Sequence, residues 1–214
     1  MSKSIVSVFW KILAVTLLCL KITAAAGEEK FASEAEMNKF FSGIAGTRTL
    51  TSRFVQERRI KGLKHIARIE GRFYMQSDGK IAWIVEKPIK YYCVITPQRI
   101  RQYDHEAGSE TTVDLSRHPA FAAMVDMMTG FFSGKGFGGS RGVISSEREI
   151  FMLPGKDSFA GDMVKKIELT LSAGGDYIEK VNVYAGSGDR TTLRFVNCKL
   201  NTAIPESVWN NIRF

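Results

Sequence analysis

Residues 66–87 read IARIEGRFYMQSDGKIAWIVEK, two stretches with apolar residues at every second position around the short turn Ser77-Asp78-Gly79. The first stretch places four apolar side chains on one face of a strand, Ala67, Ile69, Phe73 and Met75. The second stretch does the same with Ile81, Trp83 and Val85. Alternation with a period of two predicts half-buried strands, and a turn this short joins antiparallel neighbours. The segment therefore predicts an antiparallel hairpin with one apolar face.

The same alternation recurs in the C-terminal half of the chain, at residues 167–171, 177–183 and 192–195. Glycine-containing turns at 173–175 and 185–189 separate these stretches. We therefore predict an antiparallel sheet whose strands have one apolar face and one wet face. Such a sheet needs a second layer of structure over its apolar face.

A first helix is predicted after Ser33. Ser33 and Glu36 have the spacing of a capping box, in which each side chain accepts a hydrogen bond from the other residue's backbone N–H. An apolar stripe follows at helical spacing, Met37, Phe40, Phe41 and Ile44. Gly46 is suited to end this helix.

A second helix is predicted from Pro119, because proline favours the first helical turn. Its apolar stripe is Phe121, Met124, Val125 and Met128. Methionine is an adaptable apolar side chain, and the glycines at 134, 136, 138 and 139 permit the backbone to move. One interpretation is a mobile lid face over an apolar hollow, and the other is ordinary core beneath a surface loop. The candidate lid residues are Met124, Met127, Met128, Phe131 and Phe132.

These elements predict a mainly β (α+β) fold. A strongly curved antiparallel sheet wrapped around two or three helical segments fits these elements. If the helices fill the curved sheet loosely, an apolar hollow remains.

The N-terminus has the pattern of a cleaved signal peptide. Lys3 precedes an apolar stretch at 12–20 that is too short to span a bilayer, and small residues follow at 23–27. We expect residues 1–26 to be removed and residues 27–214 to form a single exported domain; the alternative is an uncleaved membrane anchor. Removing 26 residues that include three lysines lowers the formal net charge from +8 to +5.

Two cysteines remain beyond the leader, Cys93 and Cys198. In an oxidising compartment they could form one disulfide, or they could be two buried thiols. The sequence leaves both alternatives open because it does not give their separation.

Catalytic and cofactor motifs are absent from the sequence. His65, His105 and His118 lie in different segments and share no metal-ligand spacing, and no nucleophile has an evident base. We therefore expect neither an enzyme nor a bound cofactor or metal. Basic residues at 58–64 would suit nucleic acid by charge, but export argues against that partner, and a polar hairpin tip is the preferred interpretation.

Several short motifs, in this order, resemble the LolA family of periplasmic lipoprotein carriers. They are Phe54-Val55-Gln56, Gly71-Arg72-Phe73-Tyr74-Met75, Ile81-Ala82-Trp83, Pro88, Ile100 to Asp104, Ile204-Pro205 and Phe214. The resemblance covers nearly all of the chain beyond the leader. Each motif is short, so their order carries the specificity.

The resemblance implies an open half-barrel closed by a lid of two or three helices. It also implies an apolar cavity that carries the acyl chains of lipoproteins or lipids from the inner to the outer membrane. It implies an inner-membrane ABC-type transporter as donor and an outer-membrane receptor as acceptor. The candidate cavity and lid residues are then Phe54, Phe73, Ile81, Trp83, Phe121, Met124, Met127, Met128, Phe131 and Phe132.

One departure from the family pattern concerns the lid. An arginine–proline pair usually stands just before the apolar-x-Trp segment, and its arginine contacts the lid helices. Here the matching positions are Ser77 and Asp78, and Arg72 is the substitute that the same hairpin offers. The departure leaves the cargo open, and one alternative to lipoprotein sorting is a dedicated carrier of another lipid for a biosynthetic system. A second alternative, from another functional class, is a lipid-sensing regulatory protein on the same half-barrel. An exported hydrolase ranks last.

Overall fold

The computed structural model of the chain describes residues 30–118, 141–153 and 164–210, together with helical positions 122, 125, 126, 129, 130 and 132. Its main element is an antiparallel sheet of eleven strands. The strands are β1 (Thr49–Arg59), β2 (Ile66–Gln76), β3 (Lys80–Lys87), β4 (Tyr91–Ile95), β5 (Arg99–Asp104), β6 (Ser109–Asp114), β7 (Arg141–Ser146), β8 (Glu149–Leu153), β9 (Val164–Leu171), β10 (Ile178–Ala185) and β11 (Arg190–Leu200). The predicted mainly β class and antiparallel pairing are confirmed.

The strand order shows which strands form the edges of the sheet and which segment of the chain joins them. The order is β6-β5-β4-β3-β2-β1-β11-β10-β9-β8-β7, so two meanders are joined by the pairing of β1 with β11. Strands β6 and β7 are therefore the two outer edges, and the sheet stays open between them. The connection from β6 to β7 contains the helical positions between 122 and 132. This connection links the two open edges of the sheet.

The first helix, α1 (Glu34–Ala45), begins and ends as predicted. The Ser33 backbone N–H donates to Glu36 Oε2 at 2.7 Å, the Glu36 N–H donates to Ser33 Oγ at 3.3 Å, and Gly46 follows as the C-cap. The helix buries Phe40, Phe41 and Ile44 against β8, β9 and β10. It thus covers the β7–β10 half of one sheet face, which we call the inner face.

The inner face of the other half is concave. The Trp83 and Phe195 ring centroids lie 6.3 Å apart, and those of Phe73 and Phe195 lie 4.9 Å apart. Yet β3 and β11 are three strand spacings apart, roughly 14 Å along a flat sheet. Rings from distant strands converge because the sheet curves around them, as the half-barrel prediction requires.

The opposite, outer face differs from the expectation of a wet surface. Ala82, Ile84, Tyr92 and Val94 are all at most 5 % exposed, and Trp209 packs on them from a short second helix, α2 (Ser207–Asn210). The outer face of β2–β4 is therefore a second small core. Of the two helices with defined bounds, α1 lies on the inner face and α2 on the outer face, so the lid of two or three helices is not confirmed.

Strand β10 also differs from the expected alternation. Ile178 is buried under α1 and Tyr177 packs partly buried against the inner apolar cluster, although the two residues are neighbours in the chain. The polar residue Asn182 is only 3 % exposed. Its amide nitrogen donates to Glu168 Oε2, and its carbonyl accepts a hydrogen bond of 2.7 Å from Thr192. These bonds satisfy the buried amide, so its burial is tolerated.

The two cysteines are free thiols. Cys93 lies in β4 and Cys198 in β11, four strand spacings apart in the sheet. In the described part of the chain, no helix is long and apolar enough to cross a membrane.

Candidate functional site

The inner face of the concave half carries a cluster of aromatic rings, which we call the aromatic floor: Phe54, Phe73, Trp83 and Phe195. The Trp83 ring lies 4.9 Å from that of Phe54 and 5.0 Å from that of Phe73. The four side chains are between 0 % and 7 % exposed. Tilted and edge-on contacts at these distances add to the stabilisation from apolar burial.

The strand register explains how three of these rings meet. Phe73 is paired with Trp83 across the β2–β3 hairpin, and Phe54 is paired with Gly71 one step along the same face. A Cβ on Gly71 would lie 2.9 Å from Cε1 of Phe54 and would also collide with the carbonyl oxygen of Ile84. Glycine at position 71 therefore lets the Phe54 ring cross β2 and contact Trp83.

Residues from the β6–β7 connection pack on this floor. The Phe132 ring lies 4.8 Å from the Phe73 ring and 5.7 Å from the Phe195 ring. Val125 is 3 % exposed in the same apolar cluster, and Ala122 packs against it. The chain thus covers the floor with side chains from its own connecting segment.

The predicted site residues divide into two groups. Phe54, Phe73, Ile81, Trp83 and Phe132 all belong to one buried apolar cluster on the inner face. The other predicted residues lie outside the described part of the chain: Phe121, Met124, Met127, Met128 and Phe131. Phe195 was not among the predicted site residues, because its pairing with Phe54 joins segments 141 positions apart that carry no shared motif.

Three polar groups on the inner face have no hydrogen-bond partner among the described residues. They are Ser52 Oγ, Tyr91 Oη and Gln102 Oε1, on residues that are 3–4 % exposed. Burial raises the pKa of Tyr91, so its hydroxyl remains protonated. An unpaired buried hydroxyl costs stability, because its contacts with water are lost without replacement.

Replacing Tyr91 with phenylalanine is therefore expected to leave stability unchanged or raise it by up to about 1 kcal/mol, since it removes the unpaired hydroxyl and keeps the ring. Urea unfolding would measure the change. The control is Tyr184→Phe, which removes a hydroxyl that donates to Glu168 at 2.8 Å and should destabilise by about 1 kcal/mol. A loss at position 91 as large as that at position 184 would show that Tyr91 Oη is satisfied in solution.

Cys93 lies in the same cross-strand row as Trp83 and Gln102. Burial raises the pKa of the Cys93 thiol to about 12, although a hydrogen bond from Gln102 opposes the rise. The thiol is therefore protonated at neutral pH and behaves as a small apolar group.

The substitute proposed for the lid arginine does not face the floor. Arg72 shares the outer face with Tyr74, where its Nε lies 2.7 Å from Glu86 Oε1. Arg53 Nη2 contacts the other oxygen of Glu86 at 3.1 Å. Arg72 thus forms an ion pair on the outer face and does not contact the β6–β7 connection on the inner face.

The floor and the side chains that cover it form one buried apolar cluster. The described residues contain no group of three or more His, Cys, Asp or Glu side chains placed to hold a metal ion. The aromatic floor offers area and shape, and its few polar atoms are buried among apolar neighbours.

The family model for "Outer membrane lipoprotein carrier protein LolA" matches residues 45–210. The chain belongs to the LolA family. The match begins at the last residue of α1 and includes all eleven strands and α2. The family thus accounts for the whole sheet, including the aromatic floor. No curated protein matches this chain.

Several solved structures are similar to this LolA-family chain at low sequence identity. An uncharacterized conserved protein from Thermus thermophilus aligns with a TM-score of 0.51 and 12 % identity, over 85 % of this chain and 95 % of that one. A putative outer membrane lipoprotein-sorting protein domain from Vibrio parahaemolyticus aligns with a TM-score of 0.47 and 10 % identity, over 82 % of this chain and 95 % of that one. A LolA superfamily protein from Nitrosomonas europaea aligns with a TM-score of 0.44 and 8 % identity, over 81 % of this chain and 97 % of that one.

Proposed function

We propose that this protein is a periplasmic carrier that binds the acyl chains of lipoproteins or lipids on the aromatic floor and moves them from the inner to the outer membrane. The observation that carries the proposal is the position of the floor. It lies on the concave face of an open sheet, and its cover comes from the segment that joins the two open edges. Membership of the LolA family supports the choice of acyl chains as cargo.

Acyl chains suit this surface because apolar burial is non-directional and scales with area. Each methylene transferred from water stabilises the complex by about 0.8 kcal/mol. A floor of rings and aliphatic side chains binds such a chain without a fixed pattern of polar contacts, so chains of different lengths are accommodated.

Binding of an acyl chain requires the covering segment to move away from the aromatic floor. Phe132 lies on Phe73 and Phe195, so an acyl chain that contacts the same rings must displace it. A ligand shifts such an equilibrium only by its difference in affinity between the covered and uncovered states. In this mechanism the cargo replaces the apolar contacts that Phe132 loses, and the two states remain close in free energy.

The partners and compartment follow from this role. We propose that an inner-membrane ABC-type transporter donates the cargo and that an outer-membrane receptor accepts it. The part of the cargo that the protein binds is its acyl chains. The protein performs no covalent step in this mechanism and needs no cofactor. Export by the predicted leader at residues 1–26 would place it between the two membranes.

The two tryptophans of the described chain allow a direct test, because they lie on opposite faces of the sheet. Trp83 is part of the floor, and Trp209 packs on the outer face. In a Trp209→Phe variant, a fatty acid brominated along its chain should quench most of the Trp83 fluorescence, because bromine quenches at contact distance. Fluorescence titration with the brominated acid and its unbrominated parent measures this effect.

The matched control is Trp83→Phe, which leaves Trp209 as the reporter; Trp10 is common to both variants. Its fluorescence should change little with the brominated acid. Equal quenching of both variants would indicate non-specific association. Absence of quenching in the Trp209→Phe protein, with an unchanged circular dichroism spectrum, would refute acyl binding on the floor.

A further inference from the structure

The β1–β2 hairpin ends in a tip that the acyl-binding proposal does not use. We define the hairpin tip as residues 59–66, RIKGLKHI. Leu63 is 60 % exposed and Ile66 is 45 % exposed, two of the four large apolar side chains that are most exposed in the described chain. A turn with the Leu63 N–H donating to Ile60 O at 3.1 Å holds Leu63 at the end of the hairpin.

The tip extends beyond the layers that cover the rest of the sheet. Residues 66–68 of β2 are exposed, although alternate residues of a strand point to opposite faces. Neither face of the hairpin is therefore covered at this end. An apolar side chain held outside both cores has no packing role in the described structure.

The tip is strongly and uniformly basic. It contains Arg59, Lys61 and Lys64, and Arg190 is paired with Arg59 on the neighbouring strand. None of these four forms an ion pair with any residue that the structure describes, and residues 58–69 include no Asp or Glu. An exposed aliphatic pair ringed by unpaired cations is the pattern of a membrane-interface anchor.

The base of the hairpin is held in place by one acidic residue. Asp189, in the β10–β11 turn, accepts from Arg58 Nη2 at 2.9 Å and from the Lys61 backbone N–H at 3.1 Å. This pair neutralises Arg58 and joins the hairpin to the adjacent turn. Arg190 lies over the Tyr184 ring, 5.2 Å from its centroid. Arg59, Lys61 and Lys64 form no ion pair within the described part of the chain, so their charges are available to a partner outside the protein.

We propose that the hairpin tip docks this protein on an anionic lipid bilayer, with Leu63 and Ile66 entering the interface and the surrounding cations contacting lipid phosphates. Each cation near an anionic surface contributes about fivefold in affinity at low salt, and the contribution falls as salt screens it. The aliphatic pair adds a salt-independent part by burying apolar area. The site is separate from the aromatic floor, so docking does not depend on acyl binding there.

The test is co-sedimentation of the full chain with vesicles of phosphatidylcholine alone or mixed with phosphatidylglycerol. We expect binding to the anionic vesicles that weakens as salt increases. The Leu63→Ser/Ile66→Ser variant should bind at least about tenfold more weakly at every salt concentration, because it loses the salt-independent part. The Arg59→Gln/Lys64→Gln variant should lose affinity mainly at low salt.

The matched control is Val196→Ser/Lys199→Gln, which removes an exposed aliphatic and an exposed cation from the middle and end of β11, away from the tip. It should bind vesicles like the unaltered protein. The proposal is overturned if the unaltered protein does not bind anionic vesicles, or if the tip variants bind as well as the control. Quenching of Trp83 by the brominated acid should be the same in all variants, which separates this result from the test of acyl binding.

Discussion

Replacing Gly71 with alanine is expected to lower the free energy of unfolding by about 3 kcal/mol or more. The added Cβ meets two obstacles, the backbone carbonyl oxygen of Ile84 and Cε1 of Phe54. The carbonyl belongs to the neighbouring strand and cannot move without disturbing the β2–β3 pairing. The Phe54 ring cannot move without leaving Trp83. Urea unfolding followed by circular dichroism measures the loss.

Gly46→Ala is the matched control. Gly46 has φ of −81° at the end of α1, and the nearest atom to an added Cβ is the Gly43 carbonyl oxygen at 3.9 Å. This substitution is expected to be neutral within about 0.5 kcal/mol. If Gly71→Ala were equally neutral, the close approach of β2 to β3 at this position would be wrong, and with it the path by which Phe54 reaches Trp83.

Replacing Asp189 with alanine is expected to destabilise the protein by about 3 kcal/mol, because it breaks a largely buried ion pair. The side chains of Arg58 and Asp189 are 17 % and 8 % exposed. Without the carboxylate, the guanidinium and the Lys61 N–H lose their acceptors together. The exposed pair of Arg117 with Asp114 provides the control, since Arg117→Ala should cost less than about 0.5 kcal/mol.

The lowered pKa of Asp189 predicts that the stability of the protein depends on pH. Burial by itself raises the pKa of Asp189, but hydrogen bonds from Arg58 and the Lys61 N–H outweigh it and hold the pKa below its ordinary value of 3.8. A depressed pKa in the folded state contributes stability above pH 3.8 that is lost as the pH falls through the folded value. The difference in stability between the unaltered protein and Asp189→Asn should therefore shrink below about pH 4. A constant difference from about pH 7 to about pH 3 would contradict this assignment.

The sequence predicted the floor wherever a short turn fixed the register. The turn at 77–79 aligns Phe73 with Trp83, so alternation alone placed both side chains on one face. Phe195 reaches the floor through a pairing that no turn sets, and only the assembled sheet shows it. The family motifs supplied Phe54 as a candidate, but the role of Gly71 beside it depends on the distance between two strands.

The outer face was mispredicted for a different physical reason. Residues 81–85 and 91–95 are each buried at all five positions, so their apolar runs carry no alternation that distinguishes the two faces. A run of this kind is typical of a strand covered on both sides. The cover is the segment with Trp209, which is far from both strands in sequence. The residues of β3 and β4 alone could not indicate which segment of the chain covers their outer face.

The pairing of β1 with β11 has a consequence for how the protein reaches its native state. Leu50 is aligned with Leu200, so a central pair of the sheet joins the beginning and the end of the described fold. A chain that is synthesised from its N-terminus cannot close this pair until nearly all of it has been made. Until then β1 has an open edge, and the outer apolar faces of β3 and β4 lack the cover that Trp209 provides. Long-range pairing of this kind is slow, and the chain is prone to aggregation until both ends of the sheet are present.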